Sequence, residues 1–311
     1  MKDTSIRFTI AIIHRNGLDR LKNVLNSAIS SANNLDEILI IDNASTDGSI
    51  KKIEQNEVYK NIRIIKNSCN TGYAHPCNQA MKIGGGKYFL LCNNDIELPK
   101  SCLDDFEKVF INFPKSGIIG SQLLDSNQNK VGSYSKAPTF LSELDSIGRL
   151  KSPKIYQTIH EVGTLRGACL AVRKSAVESS GMMDEDFFFY FEETEWCIRM
   201  AKNGWKVLIV PHIEIMHIGG DSTKSIYYGS RIEFFRSRLL FWNKTLPTHL
   251  VIILYLWNIP KLIIDGCFYL IITIMTLGLN VRIRNKLIDR VIVLGWLFLG
   301  KPTTWGLPGK C

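Results

Sequence analysis

The sequence lacks the signatures of several common protein classes. Its eight cysteines form no Cys-x-x-Cys pair and no spacing typical of a zinc site. No Gly-x-Gly-x-x-Gly follows a predicted strand, and the run from Gly84 to Lys87 is not a P-loop, because it lacks the Ser or Thr and precedes a strand. These absences disfavour a zinc-stabilised domain, a dinucleotide-binding enzyme and a P-loop enzyme.

The sequence also lacks an internal repeat, a low-complexity tract and an N-terminal apolar segment of signal-peptide length. Several cysteines lie within apolar runs, where Cys behaves as a small hydrophobe. We therefore expect a globular, cytosolic protein whose cysteines are reduced thiols.

Acidic residues are scarce at one end of the chain. The net charge is +9, and residues 200–311 alone carry 14 Lys and Arg against 5 Asp and Glu. A basic surplus confined to one end suits an anionic partner, either nucleic acid or membrane lipid. The same end holds long apolar stretches, which have no use on a phosphate backbone. We therefore expect contact with a membrane surface and no nucleic-acid partner.

Strand and helix patterns alternate over the first 120 residues. Apolar, β-branched runs at 6–13, 37–41, 62–66 and 87–92 predict strands, and helical periodicity lies between them. This order predicts right-handed βαβ units and an α/β fold with a mostly parallel sheet and helices on both faces. Ligands bind outside the carboxyl ends of such strands, so the polar residues there are candidates for a site.

Three polar clusters follow these predicted strands: His14–Asn16, Asp42–Asp47 and Asn93–Asp95. An acid at a strand end, such as Asp95, can hold a divalent metal, and the metal can hold a diphosphate. Asn-Asn-Asp is also favourable turn chemistry, so a turn and a metal site both remain open.

A second polar stretch surrounds five consecutive aromatic residues, Phe187–Phe191. Glu192, Glu193 and Glu195 follow them, at the start of a helix predicted to run to Asn203. The helix dipole favours ionised carboxylates there, and an ionised carboxylate is what a general base requires. The alternative is simple capping of the helix by acids.

Two further positions are candidates for the same site. Gly167 provides a small residue where a backbone can approach a ligand closely, although close strand packing explains it equally well. His217 ends an apolar run as Asp95 does, so it is either a structural histidine or a second metal ligand. Oxygen and imidazole ligands together suit Mn²⁺ and tolerate Mg²⁺. The polar, turn-rich segment 122–156 predicts a surface loop or flap.

Taken together, these segments resemble glycosyltransferase family 2, in particular its bacterial rhamnosyltransferase-like branch. The matching segments cover about residues 6–222 in the family's order: TIAIIHRN, IDNASTDGS, NTGYAHPCNQAM, FLLCNNDIEL, RGACLAVRK, DEDFFFYFEETEWCIRMAKNGWKVLIVP and HIGGDS. The resemblance implies a Rossmann-like GT-A fold, a sugar-nucleotide donor linked to dTDP or UDP, and inversion at the anomeric carbon.

The resemblance also implies residue roles. Asp42 matches the acid that contacts the nucleotide base, Asp95 ends a DXD-like metal motif, and His217 completes the metal or diphosphate site. Glu193 matches the catalytic base, with neighbouring Glu192 as a competitor. The other donor-binding candidates are His14, Asn16, Asn43, Gly72, Asn78, Asn93, Asn94 and Gly167. Two departures stand out: Asn replaces the first acid of the metal motif, and Glu replaces the usual Asp base.

We expect two domains, a catalytic domain at 1–222 and a basic, apolar helical region at 223–311. Apolar runs at 250–260 and 266–279 are separated by Lys261 and Asp265, so no run reaches the ~18–20 residues of a confident spanning helix. Basic flanks with Trp and Tyr suit helices lying in the cytoplasmic leaflet. A spanning helix and a soluble helical subdomain remain the alternatives.

The predicted function is therefore transfer of a sugar, with rhamnose as a candidate, to a hydroxyl of a glycan or a polyprenyl-diphosphate-linked acceptor. We expect a peripheral enzyme at the cytoplasmic face of the membrane, in cell-surface polysaccharide synthesis, with Mn²⁺ or Mg²⁺ as cofactor. A nucleotidyltransferase and a non-catalytic carbohydrate-binding or scaffold relative are the alternatives.

Overall fold

A computed structural model describes residues 6–144, 156–218 and 227–310. The strands are β1 (Phe8–His14), β2 (Glu37–Asp42), β3 (Arg63–Lys66), β4 (Tyr88–Asn93), β5 (Ile96–Glu97), β6 (Ser116–Leu124), β7 (Tyr134–Ser135), β8 (His160–Glu161), β9 (Thr164–Leu165), β10 (Cys169–Arg173) and β11 (Lys206–His217). The helices are α1 (Leu18–Ser31), α2 (Ser49–Glu54), α3 (Ala74–Ile83), α4 (Cys102–Asn112), α5 (Phe140–Leu144), α6 (Lys174–Ser180), α7 (Glu192–Lys202), α8 (Tyr227–Thr245), α9 (Thr248–Met275) and α10 (Val281–Phe298).

The main sheet has the order β3-β2-β1-β4-β10-β6-β11-β5, with β8 paired to β11. The first four strands are parallel, as the alternation of strands and helices predicts. From β10 onward the sheet is mixed, because β10 runs antiparallel to both β4 and β6. The predicted α/β fold is confirmed, with this antiparallel insertion as the feature that sequence periodicity did not indicate.

Apolar side chains cover both faces of the sheet. On one face, α1 and α4 pack through Leu21, Leu25 and Phe106 against β1 and β4. On the other face, α3, α6 and α7 pack through residues such as Cys77 and Trp196. The polar residues that follow the strands therefore lie at the edge of the sheet, which is where ligands bind in open α/β sheets.

A third apolar cluster joins the C-terminal helices to the catalytic part. Trp242 of α8 and Trp296 of α10 are buried there together with Phe187. Phe191 packs on Phe241, with ring centroids 5.2 Å apart. Much of the aromatic segment thus packs against the C-terminal helices. The predicted domain boundary at 222 lies outside the described residues.

The expectation that the cysteines are all reduced thiols is wrong. Cys69 is disulfide-bonded, whereas the other described cysteines are free thiols, and cysteine spacing alone does not predict disulfide pairing. The two apolar runs near residue 260 form one continuous helix, α9, which passes through Pro260. Within the described residues, α9 is the one helix long and apolar enough to cross a membrane.

Candidate active site

The carboxyl ends of β1 and β4 are tied together through His14. Its Nε2 lies 2.8 Å from Ser49 Oγ, and Asn94 Nδ2 lies 2.8 Å from its Nδ1. Burial lowers the pKa of His14 to about 4, so the ring is neutral at pH 7 and Nδ1 can accept from the amide. Asn94 also donates to the carbonyl oxygen of Asn16, which has a left-handed φ of 57°. His14 is fully buried and orients Asn94 from beneath the strand ends.

Asn43, which follows β2, holds the loop at residues 67–72. Its amide nitrogen donates to Asn70 Oδ1 and to the carbonyl oxygen of Gly72, at 3.0 and 2.7 Å. Its amide oxygen accepts from the backbone N–H and the hydroxyl of Thr71. Asp42, also buried, accepts a hydrogen bond from the backbone of Ser45. The loop is therefore fixed beside the acid predicted to contact the nucleotide base.

Gly72 fits tightly against the segment that precedes the candidate base. Its φ is +83°, and a Cβ at this position would lie 2.0 Å from the carbonyl oxygen of Phe188. That same oxygen accepts from the backbone N–H of Tyr73. Only glycine satisfies both the left-handed φ and this close approach.

Asn78 fixes the other end of this segment. Its side chain bonds to both backbone groups of Met183 and donates to Glu185 Oε1. At the segment's end, Tyr190 and Phe191 have φ values of 71° and 70°. Non-glycine residues rarely adopt this conformation, and such strain clusters at functional sites. Asn78 is buried, so it shapes the backbone around the site rather than facing the opening.

Asp95 and His217 meet beyond the end of β4, as predicted. Asp95 Oδ1 lies 3.3 Å from His217 Nε2, yet this buried oxygen has no hydrogen-bond partner among the residues that the structure describes. An unpartnered carboxylate oxygen beside an imidazole fits a divalent cation such as Mn²⁺. No group of three or more His, Cys, Asp or Glu in the described part of the chain could hold a metal. Further ligands would have to come from the donor diphosphate or water.

Glu192 and Glu193 form the first turn of α7. One carboxylate oxygen of each, Oε2, is buried and has no hydrogen-bond partner within the described parts of the chain. Burial raises the pKa of Glu193, although the backbone N–H groups of Glu193, Gly167 and Thr194 oppose the rise. Burial and then the charge of Glu193 raise the pKa of Glu192 well above its ordinary value. The helix N-terminus thus stabilises these charges less than burial disfavours them, which corrects the expectation from the dipole alone.

Glu195 has a different environment from its two neighbours. Its carboxylate pairs with Arg199 at 2.8 and 2.9 Å, and Arg199 also donates to the carbonyl oxygens of Ser180 and Met182. Glu195 therefore anchors a loop and is not available as a base.

A chain of contacts connects the predicted groups. The backbone N–H of Asn93 donates to the carbonyl oxygen of Ala168 at 3.0 Å. The adjacent Gly167 abuts Glu193, since a Cβ on Gly167 would lie 3.5 Å from Glu193 Oε1. The Tyr73 hydroxyl donates to the carbonyl oxygen of Gly167. These bonds and contacts therefore connect the metal motif and the candidate base to the start of α3, which follows the loop held by Asn43.

The sequence analysis missed a contribution from the C-terminal region. Glu233 of α8 is fully buried, its charge contributes to the raised pKa of Glu192, and it pairs with Arg236 and Lys310. The backbone carbonyl of Gly309 accepts from the Asn70 N–H at 3.0 Å. This tail and α8 line a cavity of about 410 Å³ with Asn70, Phe188 and Arg236. The only signal for these residues in the sequence is that they are charged side chains among apolar neighbours.

This fold and this site define a glycosyltransferase of the GT-A type. The profile of the family described as "Glycosyl transferase family 2" matches residues 9–181, more than half of the chain. The protein belongs to this family, which confirms the resemblance.

The chain is similar to known glycosyltransferases. It is 25% identical over 209 residues to the N-acetylglucosaminyl-diphospho-decaprenol L-rhamnosyltransferase of Mycobacterium tuberculosis (strain ATCC 25618 / H37Rv), covering 60% of this chain and 67% of that one. The mannosyltransferase PcManGT of Pyrobaculum calidifontis, solved with GDP-Man and Mn²⁺, has a TM-score of 0.56 at 14% identity, over 94% of this chain and 86% of that one. GalNAc-T7, solved with UDP, GalNAc and Mn²⁺, has a TM-score of 0.54 at 14% identity, and this chain spans 48% of its length. These two structures share the fold.

Proposed function

We propose that this glycosyltransferase moves a sugar, with inversion, from a dTDP- or UDP-linked donor to a hydroxyl of a lipid-linked glycan acceptor. Rhamnose is the proposed sugar, by analogy with the mycobacterial relative, whose name also specifies a diphospho-decaprenol acceptor. Family membership leaves the nucleotidyltransferase alternative without support.

The observation that carries this proposal is the position of Glu193. It begins α7, abuts Gly167, and keeps one buried carboxylate oxygen without a partner. A general base must be within reach of the acceptor proton and must have a pKa near the working pH. A pKa raised by burial brings Glu193 toward that range.

In the proposed reaction, the acceptor oxygen forms a bond to the anomeric carbon while the bond from that carbon to the diphosphate oxygen breaks. The acceptor proton passes to Glu193, and the nucleoside diphosphate leaves with the bonding electrons. Glu192 and Glu193 are adjacent buried carboxylates whose charges oppose each other, so the scheme has the pair carry one proton before the reaction. Asp42 and Asn43 position the nucleotide end of the donor.

Asp95 and His217 are the residues that would hold Mn²⁺ or Mg²⁺. When bound, such an ion supplies positive charge that offsets the charge gained by the leaving diphosphate. The unpartnered Asp95 oxygen supports this assignment.

We further propose that the protein works as a peripheral enzyme at the cytoplasmic face of the membrane, in polysaccharide synthesis. A lipid-linked acceptor is confined to the bilayer, and residues 200–311 carry the basic surplus that suits anionic lipid.

A panel of nucleoside diphosphates and their sugars, each with Mn²⁺, tests the donor. A ligand that binds only the native state raises its melting temperature, so we expect the largest rise with a dTDP or UDP compound. The best donor is then incubated with a polyprenyl-diphosphate-linked N-acetylglucosamine acceptor, and sugar transfer is measured by mass spectrometry. Donor binding without transfer or hydrolysis would favour the non-catalytic alternative.

A further inference from the structure

The outer side of α9 is an apolar stripe without a partner in the described structure. Ile253, Leu256, Ile264, Ile271 and Met275 recur at helical spacing and are 44–77% exposed. The turn that follows continues this surface, with Leu277 85% and Leu279 81% exposed. At 1.5 Å per residue, the stripe from Ile253 to Met275 extends over about 33 Å of the 28-residue helix. A soluble monomer rarely leaves so large an apolar patch open to water.

The charged side chains of α9 lie off this stripe. Asp265 is directed to the neighbouring helix, where its Oδ2 lies 3.7 Å from Arg290 Nη2. Lys261 is half-buried. Lys261 and Asp265, which divide the sequence into two apolar runs, therefore lie to the side of the stripe in the folded helix. The outward stripe itself carries no charge.

The partner helix α10 carries the basic charge. Lys286 and Arg290 lie over the ring of Tyr269 in α9, at 5.4 and 5.2 Å from its centroid. Arg282, Arg284 and Lys286 are exposed next to the apolar turn. An apolar stripe beside a row of cations complements an anionic lipid leaflet.

The attachment of α10 also decides how α9 can meet a bilayer. Trp296 of α10 is buried in the cluster that holds α8, and Arg231 of α8 lies 3.5 Å from Asp289 of α10. If α9 crossed the bilayer with this packing kept, the charges of α10 would enter the hydrocarbon region beside it. Burial of charged side chains in hydrocarbon is costly. The packing of α10 against α9 therefore favours a position of α9 in the plane of the membrane.

We propose that α9 lies in the plane of an anionic leaflet, with its outward stripe at the acyl boundary and Arg282, Arg284 and Lys286 among the headgroups. This extends the proposed membrane association and names the surface responsible. It does not depend on the identity of the transferred sugar.

The full-length protein is sedimented with phosphatidylcholine vesicles with and without phosphatidylglycerol. We expect binding to the anionic vesicles and much weaker binding to the neutral ones. Replacing Leu256 and Ile264 together by Glu should weaken binding about tenfold or more, because the favourable free energy of moving two apolar side chains from water into the membrane is lost. Replacing Arg282, Arg284 and Lys286 by Ala should remove most of the dependence on phosphatidylglycerol.

Val58→Glu and Ile111→Glu are the matched controls, since both positions are exposed and apolar but lie on the catalytic part, at 68% and 63% exposure. These variants should bind vesicles as the wild type does. Glu193→Gln should also bind normally, which separates a failure of this proposal from a failure of the proposed reaction.

Cys267 lies on the stripe side of α9 and can serve as a native reporter. It is the only exposed free thiol among the described cysteines, so labelling is selective for it. Without reductant, a hydrophilic maleimide should label it in solution and label it at least several-fold more slowly on anionic vesicles. Alkaline carbonate should release the protein from the vesicles. Retention on the vesicles after carbonate would indicate a spanning helix. A dimer that the Leu256 and Ile264 changes dissociate, together with no vesicle binding, would indicate that a second copy of the chain covers the stripe. Either result would overturn the proposal, as would unchanged labelling of Cys267.

Discussion

The hydroxyl of Tyr73 donates a hydrogen bond of 2.6 Å to the carbonyl oxygen of Gly167. Tyr73 directly precedes α3 and follows the loop held by Asn43, whereas the backbone N–H of Gly167 supports the carboxylate of Glu193. This single bond therefore joins the loop proposed to bind the nucleotide to the residues around the proposed base, Glu193.

Tyr73→Phe removes this bond and leaves the ring in place. We expect kcat to fall while the donor KM changes little, because the Gly167 backbone loses its anchor. The hydrogen bond from the Gly167 backbone lowers the pKa of Glu193, so weakening this bond should raise that pKa. The acid limb of the profile of kcat against pH should therefore move to higher pH.

Tyr59→Phe is the control for Tyr73→Phe. The buried Tyr59 donates its hydroxyl to Asn26 Oδ1 at 2.9 Å, away from the cleft. Each variant should lose about 1 kcal/mol of stability. Equal changes in kcat for both variants would show that Tyr73 has only a structural role.

Glu193→Gln tests the base directly. A general base contributes roughly 10²–10⁴-fold, so we expect kcat to fall by about that factor while the donor still binds. Glu192→Gln should retain much more activity. Isothermal titration with the donor and initial-rate measurements separate the two effects. If Glu192→Gln is the inactive variant, the roles of the two carboxylates are exchanged.

The stability of the protein should depend on the protonation of Glu192. Its pKa in the folded state is raised well above 4.5, first by burial and then by the charge of Glu193. Its contribution to stability is therefore fully present below about pH 4.5 and is lost as the pH rises through the folded pKa.

Glu192→Gln removes this pH dependence. At about pH 8 we expect the variant to melt about 2–4 °C above the wild type, the size of about 1 kcal/mol in a chain of this length. The gap should narrow as the pH approaches the ordinary carboxyl range. A gap that stays constant across the pH series would mean that Glu192 is not the titrating group.

The metal assignment predicts a loss of ion binding that can be measured without turnover. With UDP or dTDP present, Mn²⁺ should raise the melting temperature of the wild type, and Asp95→Asn and His217→Ala should reduce that rise. Asp125→Asn is a control, because Asp125 is a partly exposed acid that accepts hydrogen bonds within its own loop. Full activity of the wild type in EDTA would argue against a required metal.

The sequence by itself determined the parallel half of the sheet and the position of the polar residues at its edge. Local periodicity places β1, β2 and β4, and parallel strands bring their carboxyl ends together. It also determined that Glu193 lies in the first turn of a helix, because the acids and the helical pattern are adjacent in the chain.

Only the tertiary structure decided which of these groups are buried, paired or free. Among the described residues Glu195 forms an ion pair and Glu193 does not, although the two acids are two residues apart. Glu233 and Lys310 reach the site from the far end of the chain, and Lys261 and Asp265 leave one side of α9 wholly apolar. Burial and pairing depend on contacts between residues distant in sequence, which local patterns do not encode.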